Sequence, residues 1–266
     1  MTDNDLGNAC AGLDAAALDE LRAIADLYGR ANGLLMRLAS WAGRRVEGVT
    51  ARLPKVAQTA IFEAAMLALR QSYDVAFVTQ GSATGSLAAA TLGKFRGEGW
   101  HRVATAISGG LGGLGGIATT LVDLPVTTTL ILRSVQQIAR DYGEDLTDPA
   151  VRAQCVAVFA LGGPLREDDA AEAGLFASRF ALGGKAIAEV LKAAAPRFGI
   201  VLGEKALAQA TPLLGALAGG AINPIFTGYY QTMAHVHFRL RRLERGADPE
   251  QLRACFERIV HLRRET

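Results

Sequence analysis

Apolar positions along this chain recur at helical spacing and nowhere alternate in runs as strands require, which predicts an all-α protein. Leu13, Ala17, Leu21, Ile24 and Leu27 or Tyr28 mark one side of an acidic amphipathic helix within residues 1–30. Pro54 opens a second helix to about Tyr73, since proline suits the first helical position. Its polar positions Lys55, Thr59, Glu63 and Arg70 form one narrow stripe, so burial on most other sides is expected. The next segments are built from small residues. Val75–Gly93 carries Gly81, Thr84, Gly85 and Ala88 on one face. Between His101 and Thr120, Gly109, Gly112, Gly113 and Gly116 fall at i, i+3, i+4 and i+7, opposite Ile107, Leu111, Leu114 and Leu121. Each glycine in a helix costs about 1 kcal/mol relative to alanine. Such a face stays helical only where a backbone or an acyl chain packs directly on it.

Punctuation divides the remainder. Asp123-Leu124-Pro125 is expected to end the glycine helix and start another that runs to Tyr142 and is closed by Gly143. Asp148-Pro149 opens a helix to Leu161, and Gly162-Gly163 stops it. Residues 164–173 read as a polar loop, followed by helices near 174–193 and 197–222. Pro224 to Glu244 is next, then a Gly246 cap and a last helix from Asp248-Pro249. The order small-residue helix, Pro junction, long helix, Gly cap, Asp-Pro helix thus occurs twice, which suggests an internal two-fold repeat. The expected architecture is a single-domain bundle of about ten helices around Gly/Ala-rich hairpins. An N-terminal helical extension over 1–50 would precede a main helical domain over 51–266.

Composition narrows the function classes. A formal net charge of +2 gives no bulk attraction to nucleic acid. Val75–Gly93, Val103–Val122 and Ala206–Phe238 hold no Asp, Glu, Lys or Arg, but Gly, Ala, Thr and Ser make them poor spanning segments. They are expected to be buried helices of a soluble bundle, with a reversibly inserting hairpin as the alternative. Cys10, Cys155 and Cys255 are odd in number and far apart, with no CxxC pair, so neither a disulfide framework nor a zinc knuckle is expected. A reducing compartment fits. The acidic N-terminus has no basic-then-apolar export signal, so a cytoplasmic location is expected.

Candidates for chemistry are few. Gly110-x-Gly112-x-x-Gly115 matches the dinucleotide fingerprint formally, but it lies on a helical face without a preceding strand, and no P-loop is present. Asp123 is the only charge between Val103 and Leu132; it is expected to cap the helix at Pro125, with a functional acid as the alternative. Asn223 sits at the analogous point. Glu63, the only acid of its helix, is expected to pair with Lys55, Arg70 or Arg133. On a helix the rings of His235 and His237 diverge, so a surface role is expected in preference to metal. No GxSxG elbow or HExxH is present, and neither a cofactor nor a metal is expected. Arg239, Arg241 and Arg242, with Arg44 and Arg45, are basic clusters of the kind an anionic membrane surface attracts; a solvated, salt-bridged face is the other reading.

Several strings together resemble the EcsC family: Leu53-Pro54-x-x-Ala57-Gln58-x-Ala60-Ile61-Phe62, the Gly-rich run into Asp123-Leu124-Pro125 and Arg133, and Ile138-Ala139-x-x-Tyr142-Gly143-Glu144-Asp145. Phe159-Ala160-Leu161-Gly162-Gly163, Gly215-Ala216 through Ala221-Ile222-Asn223, and Leu243-Glu244 complete the set. The resemblance implies a bacterial protein with a suggested membrane association and carries over no catalytic residue. The expected function is non-catalytic: a protein peripheral to the inner membrane that binds lipid or another apolar ligand between small-residue helices. Gly109, Gly112, Gly113, Gly116, Gly215, Gly219 and Asn223 would line that site. Partners would be lipid and a membrane transporter component, and not nucleic acid. The alternatives are a hydrolase acting on a lipid or envelope substrate, using Asp123 with Glu63, and a soluble adaptor.

Overall fold

A computed structural model describes residues 6–43, 55–81, 102, 117–161, 186–195 and 212–264. Seven helices are seen there and no strand, against the roughly ten helices expected. The glycine helix at 109–116 and the segment 82–93 lie outside the described residues.

Helix α1 (Ala15–Gly43) begins where Asp14 Oδ1 accepts the Ala17 N–H at 2.6 Å, a side-chain N-cap. Leu21, Ile24, Ala25, Tyr28 and Ala31 are buried at helical spacing, as the amphipathic pattern requires. The helix does not stop near residue 30 but continues through Gly33. One glycine is a weak breaker, and a packed helix tolerates it. α2 (Lys55–Gly81) likewise runs past Tyr73. Its stripe of Lys55, Thr59, Glu63 and Arg70 is exposed as expected. Its burial is narrower than expected: Ala65, Ala68, Leu69 and Ser72 form one inward face, while Phe62 and Leu67 are 39% and 55% exposed.

The two proline junctions behave differently from their sequence reading. α3 (Ile117–Asp141) passes unbroken through Asp123-Leu124-Pro125. After the short α4 (Pro149–Ala157) and a helical stretch α5 at residues 187–195, α6 (Pro212–Glu244) passes unbroken through Asn223-Pro224. A proline removes one intrahelical hydrogen bond and crowds the preceding turn, at about 3 kcal/mol, but it does not forbid continuation where neighbours hold both halves. Asp123 is therefore inside a helix and is not an N-cap: the N–H groups around it are already engaged in the α-helical ladder.

The junctions that follow do obey local chemistry. Gly143 takes φ of +80°, and the Glu144 N–H reaches back to the Ala139 carbonyl at 3.1 Å, a left-handed glycine closure of α3. Asp148 Oδ1 accepts the Ala150 N–H at 2.8 Å to cap α4 at Pro149. Asp248 Oδ1 accepts the Glu250 N–H at 3.3 Å at the start of α7 (Pro249–Arg264).

α6 is the axis of the bundle. It packs on α1, α3, α7 and the 3-10 turn Val158–Ala160, and Phe226, Tyr229, Tyr230, Met233, Ala234, Val236, Phe238 and Leu240 are all buried. Tyr230 stacks tilted on Phe159 with ring centres 4.7 Å apart, and Tyr229 meets Tyr230 edge-on at 5.2 Å. No helix among the described residues is long and apolar enough to cross a membrane.

The cysteine expectation is overturned. Cys10 and Cys255 form a disulfide, their Cα atoms 4.6 Å apart, tying the 3-10 turn Gly7–Cys10 to α7 across 245 residues. Sequence spacing carries no information here, because the two ends of the chain meet only through tertiary packing. Gln251 Nε2 donates to the Ala11 carbonyl beside the same bridge. Cys155 is a free, buried thiol whose pKa is pushed far above its ordinary range by burial, so it is inert.

Two outcomes follow from this architecture. Joint replacement of Cys10 and Cys255 by alanine should lower unfolding stability by about 2–5 kcal/mol, read from urea melts, because the bridge restricts nearly the whole unfolded chain. Gly143→Ala should cost about 1 kcal/mol in the same assay although its Cβ would meet nothing within 4 Å, since the penalty is the left-handed backbone alone.

Candidate functional site

Helices α2, α3 and α6 carry polar side chains into the core. Ser72, Thr127, Thr128, Ser134, Gln136, Thr227 and Gln231 are all buried. Buried polar groups must find partners, and most do. Thr129 Oγ1 donates to Ser72 Oγ at 3.2 Å, joining α3 to α2. Gln231 Nε2 donates to Ser134 Oγ at 2.8 Å, joining α6 to α3, while Gln231 Oε1 accepts Arg102 Nε at 2.7 Å. The Arg102 guanidinium lies against the bare backbone of Gly228, where an added Cβ would stand 3.4 Å from its Cζ. One glycine of α6 thus makes room for a cation.

Two groups on α3 break the pattern. Arg133 is half-buried, its Nη1 is closed to solvent, and that atom has no hydrogen-bond partner. Burial alone lowers its pKa, with no carboxylate acting against the shift. Gln136, 2% exposed, holds an Oε1 that is likewise unpaired. One turn separates them, on the side of α3 that Thr129 turns toward α2. Among the described residues, the inward face of α2 offers Ala65, Ala68, Leu69 and Ser72, and no acid. Glu63 is exposed and makes no ion pair among the described residues, so the expected bond to Lys55, Arg70 or Arg133 is not formed. The α2 backbone turns it outward with Lys55, Thr59 and Arg70.

The C-terminal arginines are occupied. Arg239 grips Glu20 bidentately, Nε at 2.8 Å and Nη2 at 2.6 Å, and Arg242 Nη2 joins the same carboxylate at 3.1 Å. The hydrogen bond from Arg239, followed by its charge and that of Arg242, outweighs burial and holds the Glu20 carboxyl below its usual range. Arg241 pairs bidentately with the nearly buried Glu144 at 3.0 and 3.1 Å. Arg263 reaches Asp26 at 2.8 Å. Arg242, whose side chain is 52% exposed, also lies 5.5 Å over the Tyr142 ring. The acidic N-terminal helix is thus clamped to the basic end of α6.

The histidines do not face solvent as expected. His235 Nδ1 hydrogen-bonds Tyr142 Oη at 2.9 Å, and His237 is buried edge-on against Phe238 at 4.9 Å. The helix is buried on most sides, so both diverging rings meet protein. No group of His, Cys, Asp and Glu able to hold a metal exists among the described residues. Gly215, Gly219 and Asn223 lie within α6 as helical backbone, and Asp123 within α3. Gly109, Gly112, Gly113, Gly116, Arg44 and Arg45 lie outside the described residues. Reasoning from sequence named neither Gln136 nor the solitude of Arg133. The available signal was a pair of glutamines, Gln136-Gln137, following a lone arginine on an otherwise apolar helix.

A sequence profile described as the EcsC protein family matches residues 38–243, most of the chain. No curated protein and no solved structure matches it.

The clamp has a pH signature. Because the folded carboxyl of Glu20 is held down, its contribution is fully present above the unfolded value of 4.5 and is lost as pH falls through the folded value. Glu20→Gln should therefore lower stability at neutral pH and flatten the acid limb of the stability curve below about pH 4.5, measured by urea melts across pH.

Proposed function

The chain belongs to the EcsC protein family, and on that premise we propose that it is a non-catalytic, membrane-peripheral protein that binds lipid or another apolar ligand between small-residue helices. The observation that supports this most is the continuity of α6 through Gly215, Gly219, Gly220 and Pro224. Three glycines and an internal proline cost several kcal/mol in an isolated helix, about 1 for each glycine and about 3 for the proline. A helix that stays continuous through them needs close neighbours on its bare side, and such a side accepts a slim apolar chain when those neighbours part. On this reading Gly109, Gly112, Gly113 and Gly116 supply a second such side, and α3 and α6 with their glycine caps and Asp-Pro helices are two copies of one hairpin.

The arginines need a revised role within the proposal. Arg239 and Arg241 are spent on Glu20 and Glu144, so they build the fold, and Arg242 is the one of the three with half its side chain free to reach a headgroup. Disulfides such as Cys10–Cys255 are rare in reducing compartments, so the reading places the protein at a membrane surface without assigning it to the reducing side. No observation favours the hydrolase alternative: Glu63 is exposed and stands without an acid or base beside it among the described residues.

Flotation with vesicles tests the proposal. The protein should rise with vesicles containing phosphatidylglycerol and stay at the bottom with pure phosphatidylcholine, and the binding should weaken as salt is raised. A protein that remains at the bottom with both, at low salt, rules out the membrane half. Native mass spectrometry should show an added mass of a bound amphiphile that denaturation releases.

A further inference from the structure

Guanidinium is charged at every accessible pH and presents five N–H donors in a fixed fork. Burying part of it without a carboxylate weakens a fold, and an apolar side chain of similar volume at that position would serve the core better. Arg133 is such a case: Nη1 is sealed from water and unpaired, and the buried α2 side chains among the described residues, Ala65, Ala68, Leu69 and Ser72, are hydroxyl and apolar groups. Gln136 supplies a second, independent orphan. It is almost fully buried, and its carbonyl oxygen, an acceptor, lacks a donor. The two needs are complementary and one helical turn apart: Arg133 calls for an oxyanion, and Gln136 calls for an O–H or N–H beside it. Thr129 and Ser72, already bonded to each other, border the same face.

We propose that Arg133 and Gln136 form the polar end of a ligand site between α2 and α3 that takes a phosphate ester carrying a hydroxyl, with Arg133 gripping the phosphate oxygens and Gln136 Oε1 accepting the hydroxyl. Ala65 and Ala68, both buried, are the small side chains that α2 contributes next to this polar end. A glycerophosphate lipid headgroup and a free polyol phosphate share this chemistry. The site deepens the lipid-binding reading above and rests on it only for the attached chain.

Thermal melts of the full chain with glycerol phosphate, with inorganic sulfate and without ligand test the site. Glycerol phosphate should raise the midpoint of the wild-type protein, and sulfate, which has no O–H to donate, should do so less. Arg133→Met should melt at or above the unliganded wild-type midpoint and bind glycerol phosphate at least about tenfold more weakly. Gln136→Leu should abolish the preference for glycerol phosphate over sulfate. Undiminished protection in Arg133→Met overturns the site. An unliganded Arg133→Met protein that melts well below wild type also overturns it, because the arginine would then have its partner within the chain. The vesicle arm separates this site from the broader reading. If glycerol phosphate protects but phosphatidylglycerol vesicles do not float the protein, the site stands and the membrane reading falls. If vesicles float wild type and Arg133→Met equally while glycerol phosphate protects neither, the membrane reading stands and the site falls.

Discussion

Burial of α6 along residues 226–240 is the constraint from which the rest of this structure follows. A helix wrapped by α1, α3, α7 and the Val158–Ala160 turn cannot leave any polar group to water. Gln231, at its centre, therefore reaches in two directions, giving its amide N–H to Ser134 and its oxygen to Arg102. His235 meets the Tyr142 hydroxyl, and Tyr229 donates to the Leu161 carbonyl at 3.4 Å. Where α6 emerges at its C-terminal end, Arg239, Arg241 and Arg242 find carboxylates from the opposite end of the chain and from the α3–α4 turn.

Arg133 and Gln136 sit on the neighbouring α3, one turn apart, and Nη1 of the first and Oε1 of the second are buried without a hydrogen-bond partner. A core built only for stability gains nothing from an unpaired guanidinium. The ligand reading gives the two orphans a common purpose and puts the charged head of a guest beside the small side chains of α2.

The chain's two ends are held together three ways: the Glu20–Arg239 ion pair, the Asp26–Arg263 ion pair and the Cys10–Cys255 bridge. All three join the N-terminal segment to α6 or α7. Any parting of helices that admits an apolar chain would therefore occur away from this clamp, toward α2, α3 and the glycine-bearing start of α6.

Local chemistry was legible in the residues themselves. The inward spacing of Leu21, Ile24 and Tyr28, the left-handed closure at Gly143, and the caps Asp148 and Asp248 each depend on contacts within a few positions, so their type and place follow from the chain alone. The exposed stripe of α2 is of the same kind. What only the tertiary structure decided depends on residues far apart. Pro125 and Pro224 read as helix breaks, and both lie inside continuous helices. The arginines of α6 read either as a membrane-facing cluster or as a salt-bridged face, and Glu20 of α1 and Glu144 pair with them. The cysteines read as unpaired, and folding brought the first turn to the last helix. Glu63 was expected to pair with Lys55, Arg70 or Arg133, and the helical rotation of α2 carried that acid to the outer surface. A spacing rule describes one helix at a time; which face meets which neighbour is set by the energy of the whole packed assembly.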